Sequence, residues 1–123
     1  MIDHIDLRVR DFDVARAFYD PLMVAMGFTE FDVVGKDINY HTPGGVHDKP
    51  FFGLMEDTEH RGNGVRIAFR ATNREEVDRL SEVARASGAR NFEPPEPYHG
   101  SPRYYASFFE DPDGNKLEIV YCE

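Results

Sequence analysis

The 123-residue chain contains no tryptophan and a single cysteine, Cys122. One thiol can form no internal disulfide and cannot build a cysteine-based zinc site. Basic residues are also few: 14 Lys and Arg stand against 23 Asp and Glu, for a net charge of −9. Nucleic-acid binding draws its affinity from Lys and Arg against phosphates, and an anionic membrane surface repels an acidic chain, so neither is expected as a partner. Any local basic cluster then needs a local purpose, such as holding the acidic group of a small ligand. No apolar run approaches the roughly 20 residues that span a bilayer. Met1-Ile2-Asp3-His4 leads into a strand pattern rather than the basic and apolar segments of a leader. Cytoplasmic residence is the expectation that follows.

What the chain does have is bulk. Hydrophobic residues make up 41% of it, with ten Phe and six Tyr. That is enough to build the core of one domain over residues 1–123. Ile5, Leu7 and Val9 alternate with His4, Asp6 and Arg8, the pattern of a half-buried strand. Asp11 or Asp13 then caps a helix with Val14, Ala15, Phe18, Leu22 and Met26 at helical spacing, and Gly27 ends it. Pro21 inside that pattern predicts a kink or an early break. Strands are expected near 28–34, 37–42 and 50–56, separated by Gly35-Lys36 and Pro43-Gly44-Gly45.

The programme then repeats after Gly62-Asn63-Gly64. Val65, Ile67, Phe69 and Ala71 alternate with Arg66, Ala68 and Arg70. Thr72-x-x-Glu75 and Asn73-x-x-Glu76 both read as capping boxes for a second helix carrying Val77, Leu80, Val83 and Ala84, closed by Gly88. Strands follow near 90–93, 104–110 and 116–121, the last two joined by Asp111-Pro112-Asp113-Gly114-Asn115. Three prolines between Glu93 and Pro97 predict a loop over 93–103. An offset of 62 residues lays His4 on Arg66, Leu7 on Phe69 and Phe18 on Leu80. The predicted fold is therefore α+β: two paired βαβββ modules, about 1–61 and 62–123, sharing a continuous mixed sheet that curls into a cup, with the helices on its outer face.

The strand faces turned away from the helices carry the candidate chemistry: His4, Asp6 and Arg8, then Arg66 and Arg70, then Lys116, Glu118 and Val120. A neutral imidazole and a carboxylate from different strands suit a divalent metal such as Zn, Fe, Mn or Ni. Two ligands make an incomplete set, and the same residues also fit ordinary strand positions facing solvent. Phe51-Phe52 reads as packing, Arg103-Tyr104-Tyr105 as a stretch with one face toward the cup, and His41, His47, His60 and His99 as turn or loop residues at the surface.

The run His4-Ile5-Asp6-Leu7-Arg8-Val9-Arg10-Asp11, followed by Ala17-Phe18-Tyr19, Gly27-Phe28 and the terminal Phe108-Phe109-Glu110-Asp111-Pro112-Asp113-Gly114-Asn115-Lys116-Leu117-Glu118, resembles the vicinal oxygen chelate superfamily. That superfamily includes glyoxalase I, fosfomycin-resistance thiol transferases, bleomycin-resistance proteins and extradiol dioxygenases. Tyr104-Tyr105 resembles one small glyoxalase-like branch. The resemblance implies His4 and Glu118 as metal ligands, with Glu118 or Glu56 as a carboxylate assisting proton transfer. Where the superfamily places a second histidine, in a His-x-Ala-Phe context, this chain reads Arg66-Ile67-Ala68-Phe69.

Arginine stays protonated and offers only donors, so it cannot ligate a metal. Arg66 is expected to pair with Glu118 in the metal's place, to hold a ligand anion, or to reach solvent. Glu56, at the 62-residue offset from Glu118, is a third ligand candidate, with Phe52 or Leu54 as the alternative occupant of that place. Two functions follow. In one, the protein binds a small molecule, anionic where Arg8, Arg66, Arg70 and Tyr105 meet it, with the metal site lost or altered. In the other it is a metal-dependent lyase, isomerase or dioxygenase using His4, Glu118 and a further ligand. The resemblance also implies a homodimer.

Overall fold

The computed structural model of the chain describes residues 1–44 and 50–123, so the expectation for His47 lies outside the described residues. It holds two compact units, Met1–Arg61 and Gly62–Glu123. The first contains β1 (His4–Val9), α1 (Phe12–Ala25), β2 (Glu30–Val34), β3 (Asp37–His41) and β4 (Phe51–Glu56). The second contains β5 (Arg66–Arg70), α2 (Arg74–Ala86), β6 (Arg90–Tyr98), β7 (Ser101–Glu110) and β8 (Lys116–Cys122). Among the described residues two helices and eight strands thus make an α+β fold of two βαβββ modules. The strands close into two four-stranded mixed sheets, β1-β4-β3-β2 and β5-β8-β7-β6, rather than the one continuous sheet expected. Each module pairs its own first strand, in parallel, with its own last strand, so every ladder is completed inside the module.

Capping explains where the helices begin. Asp11 caps α1 by accepting from the Val14 N–H at 3.0 Å, and Gly27 follows the helix with φ +95°. Pro21 lies inside α1 without ending it. The N-cap of α2 is Asn73, which accepts from the Glu76 N–H at 2.7 Å. Glu76 reaches back to the Thr72 backbone N–H at 3.1 Å and to the Thr72 hydroxyl.

Strand alternation puts Val9, Ile38, Tyr40, Phe52 and Leu54 in the core of the first unit, where they meet Phe18, Tyr19, Leu22 and Met23 of α1. In the second unit Leu117, Ile119 and Phe109 are buried with Val77, Leu80 and Ala84 of α2. Each large side chain so buried is worth about 1.5–3 kcal/mol. The Tyr40 hydroxyl donates to Asp20 of α1 at 2.6 Å, and Arg16 grips the same carboxylate at 3.0–3.3 Å. That polar clasp ties helix to sheet at the edge of the first core.

The expected loop over 93–103 is instead strand on both sides of a turn at His99-Gly100. Pro94, Pro95 and Pro97 are tolerated because β6 is the edge of its sheet and has only β7 beside it. The β6–β7 register also slips between Arg90 and Glu93, Glu93 and Glu96, and Pro97 and Tyr98. Bulges of this kind absorb missing donors. No helix among the described residues is long and apolar enough to cross a membrane.

The turn joining β7 to β8 hangs on one residue. Fully buried Asp111 accepts from the backbone N–H groups of Asp113 (2.8 Å) and Asn115 (2.9 Å) and from the Asn115 amide (2.8 Å). Asp111→Ala strands these donors and is expected to destabilise the protein by about 2–4 kcal/mol in urea unfolding. A loss below about 0.5 kcal/mol would show that the hairpin does not need them.

Candidate functional site

The period of two in each strand leaves one face of each sheet for polar residues. On the first sheet that face carries three cross-strand rows. His4 stands beside Phe51; Asp6, Gly53, Asn39 and Asp32 form the second row; Arg8, Met55, Asp37 and Val34 form the third. A groove of about 390 Å³ lies over them, lined among others by His4, Asp6, Asp32, Asp37 and Asn39. The His4 imidazole stacks on Phe51 with centroids 4.3 Å apart and planes 6° from parallel. Phe51 therefore faces the groove, while Phe52 packs on Tyr19 in the core.

Both ring nitrogens of His4 meet carboxylates, Nδ1 with Asp3 at 2.7 Å and Nε2 with Asp6 at 3.4 Å. The Asp3 bond is the largest cause that raises the His4 pKa above its ordinary value, so the charged form persists to higher pH. Arg8 donates to the Met55 sulfur at 3.1 Å.

Three residues stand elsewhere than the sequence suggested. Glu56 is turned to the helix side, where it accepts from the Phe12 N–H at 3.0 Å at the start of α1. The internal counterpart of Glu118 is Gly53, because β1 pairs His4 with Phe51 as β5 pairs Arg66 with Lys116. A Cβ on Gly53 would lie 2.6 Å from Asp6 Oδ1 and 2.9 Å from Asn39 Oδ1, so those two side chains close over it. His41 is not a surface residue: it ends β3 at 5% exposure, with Nε2 2.9 Å from Asp32 and Nδ1 3.6 Å from Glu30. It steadies Asp32 at the groove. His60 sits in the turn after β4 with its carbonyl accepting from Arg10, and His99 stacks on Tyr98.

On the second sheet the corresponding face carries Arg66, Ala68 and Arg70 from β5 and Lys116, Glu118 and Val120 from β8. Glu118 is only 4% exposed. Arg66 does not pair with it. The guanidinium lies over the Phe108 ring, 4.8 Å from its centroid, and Nη1 donates to the Leu117 carbonyl at 3.3 Å. Glu118 instead accepts from the Tyr104 hydroxyl. Tyr105, the next residue, points to the opposite face and donates to Asp78 of α2 at 2.6 Å. Of the tyrosine pair it is thus Tyr104 that joins Glu118, a distinction open to a one-residue count along β7. Arg70 is exposed on the Arg66 side of β5. Among the described residues no three His, Cys, Asp or Glu side chains gather as a metal-holding group.

Burial first, and then the bond to Glu118, push the Tyr104 phenol up to about 12. The neutral hydroxyl is the form that donates, so the contact is intact below pH 10 and its contribution to stability is lost as pH rises through about 12. Glu118→Gln is expected to lower the Tyr104 value while leaving it above 10, because burial, the larger cause, remains. Ultraviolet difference titration, with Tyr104→Phe marking the band, measures this. A value that does not move would show that the hydroxyl does not engage Glu118.

Comparison with known proteins adds three likenesses. A model of the Glyoxalase/Bleomycin resistance protein/Dioxygenase superfamily matches residues 1–119. The uncharacterized protein YqjT of Bacillus subtilis strain 168 is 30% identical over 127 residues, covering 95% of each chain. A glyoxalase/bleomycin resistance protein from Albidiferax ferrireducens T118 superposes with a TM-score of 0.81 at 26% identity, over 98% of each chain.

Proposed function

Because the chain belongs to the glyoxalase/bleomycin resistance protein/dioxygenase superfamily, we propose that it binds a small anionic molecule without a resident metal ion. The superfamily fold is consistent with small-molecule binding. The observation that carries the rest is Arg66. It stands where the superfamily resemblance implies a histidine, exposed on the strand beside Glu118, and its guanidinium rests on Phe108 without a carboxylate partner among the described residues. A rigid planar cation held against an aromatic ring, with donors left over, is suited to a carboxylate, phosphate or phosphonate.

The residues present do not fit a divalent ion. Arginine offers no lone pair. Glycine occupies the internal counterpart of Glu118, with Asp6 and Asn39 closed over it. Glu56 serves α1, and Glu118 already receives the Tyr104 hydroxyl. His4 keeps both nitrogens on Asp3 and Asp6. Resident metal ions need preformed, deprotonated ligands in a complete set.

Elemental analysis of the purified protein is expected to find no transition metal at stoichiometric level. A tightly held equivalent of Zn, Fe, Mn or Ni would overturn the metal-free reading in favour of a metal-dependent enzyme using His4, Glu118 and a further ligand. Arg66→His restores an imidazole, and its zinc affinity is expected to rise at least about tenfold over the parent in chelator competition. An unchanged affinity would show that Arg66 is not what keeps metal out.

A further inference from the structure

The outer faces of the two helices differ. In α2 the exposed positions are Glu75, Asp78, Arg79, Glu82, Arg85 and Ala86, an ordinary solvated face. In α1 they are Asp13, Val14, Ala17, Pro21 and Val24, with Asp13 the one charged residue among them. Val14 is 50% exposed and Val24 45%. The other charged side chains of α1 are bound within their own unit: Arg16 holds Asp20 at 3.0 Å, and the Tyr40 hydroxyl donates to the same carboxylate. The buried face of α1 is apolar as well, through Phe12, Ala15, Phe18, Leu22 and Met23. A helix apolar on both sides is one that is covered on both sides.

Val14, Ala17, Pro21 and Val24 follow a 3-4-3 spacing, so they form one stripe along the helix. At about 1.5 Å per residue the stripe is roughly 15 Å long. Its order is symmetric, with valine at each end and a compact side chain, Ala17 or Pro21, at each inner place. Turned end for end against a second copy, it sets Val14 on Val24 and Ala17 on Pro21. A two-fold contact needs a surface that complements itself in this way. The antiparallel arrangement also lays opposite ends of the two helix dipoles side by side. A membrane surface fits less well, because a helix lying on lipid carries Lys and Arg beside its apolar stripe, and the one cation here, Arg16, is bound to Asp20.

We propose that the outer face of α1 is a self-association surface, on which two copies of the chain pair as antiparallel helices with Val14 of each against Val24 of the other. The compact inner residues let the helix axes approach to about 8 Å, the close end of helix packing. One helix pair of this length makes a small interface, so the dimer is weak, dissociating in roughly the micromolar range.

Sedimentation velocity on the full chain, from about 1 to 500 µM, tests this. The native protein is expected to shift from monomer to dimer across that range. Val14→Glu with Val24→Glu sets like charges together at both ends of the contact and is expected to raise the dissociation constant at least about tenfold. Val14→Lys with Val24→Lys should do the same although it lowers the net negative charge. Val14→Glu with Val24→Lys sets opposite charges together and should associate at least about tenfold more tightly than either like-charge form. A native protein that stays monomeric throughout overturns the proposal. A native dimer untouched by both like-charge pairs places the contact on another surface and overturns it too. Dissociation by all three variants alike overturns the antiparallel register. The native protein's mass against concentration decides the first of these even if a variant fails to fold.

Discussion

In each unit a single helix covers one face of a four-stranded sheet, and the two-residue period of the strands decides which side chains are left on the other face. Tyr40, Phe52 and Leu54 go to the helix and are buried; Asn39, Phe51 and Met55, their immediate neighbours, go to the opposite face. A shift of one residue would exchange the two sets. The parallel pairing of first and last strands pins that register in both units, and with it the position of every polar residue considered above.

The same constraint explains what could be read from the chain alone. His4, Asp6 and Arg8 alternate cleanly against Ile5, Leu7 and Val9, so their face followed from composition, as did the two modules and both helices. The counterpart of Glu118 did not follow. It depends on the lengths of the middle strands, 9 and 10 residues for β6 and β7 against 5 each for β2 and β3, and a sequence offset taken from β1 and β5 ignores that difference and lands on Glu56. Only the pairing of Asp6 with Gly53 and of Ala68 with Glu118 corrects it. The prolines of β6 misled for another reason. A proline excludes a strand only where both edges must be paired, and whether a strand is an edge is a property of topology, not of local sequence. His41 was similarly hidden, since its burial comes from Asp32 and Glu30 on the neighbouring strand.

The two polar faces differ in electrostatic character although they come from the same module plan. The first sheet concentrates Asp6, Asp32 and Asp37 around its groove, with His4 held by carboxylates on both sides. The second presents Arg66 and Arg70 on β5 and Lys116 on β8. The two modules share one element order and differ in the residues they place on it. At the first-strand position one module has an imidazole stacked on Phe51, the other a guanidinium lying over Phe108. Both side chains use an aromatic ring from the same sheet as a support, which fixes a flat cation or near-cation at low entropic cost.

Arg66, on the strand beside Glu118, has a consequence beyond offering no lone pair. In a metal site the ion satisfies the carboxylate, and the carboxylate needs little else. With a fixed positive charge beside it instead, Glu118 keeps a favourable field but must find hydrogen-bond donors of its own. Tyr104 supplies one, from a point four residues along β7 from Phe108, and reaches Glu118 past the small side chains of Ala106 and Val120 on the same face. Tyr105, the next residue, takes the other face and gives its hydroxyl to Asp78. The Glu118 carboxylate is thereby held by the sheet's own side chains, with the Tyr104 hydroxyl on one oxygen and the Arg66 cation on the neighbouring strand.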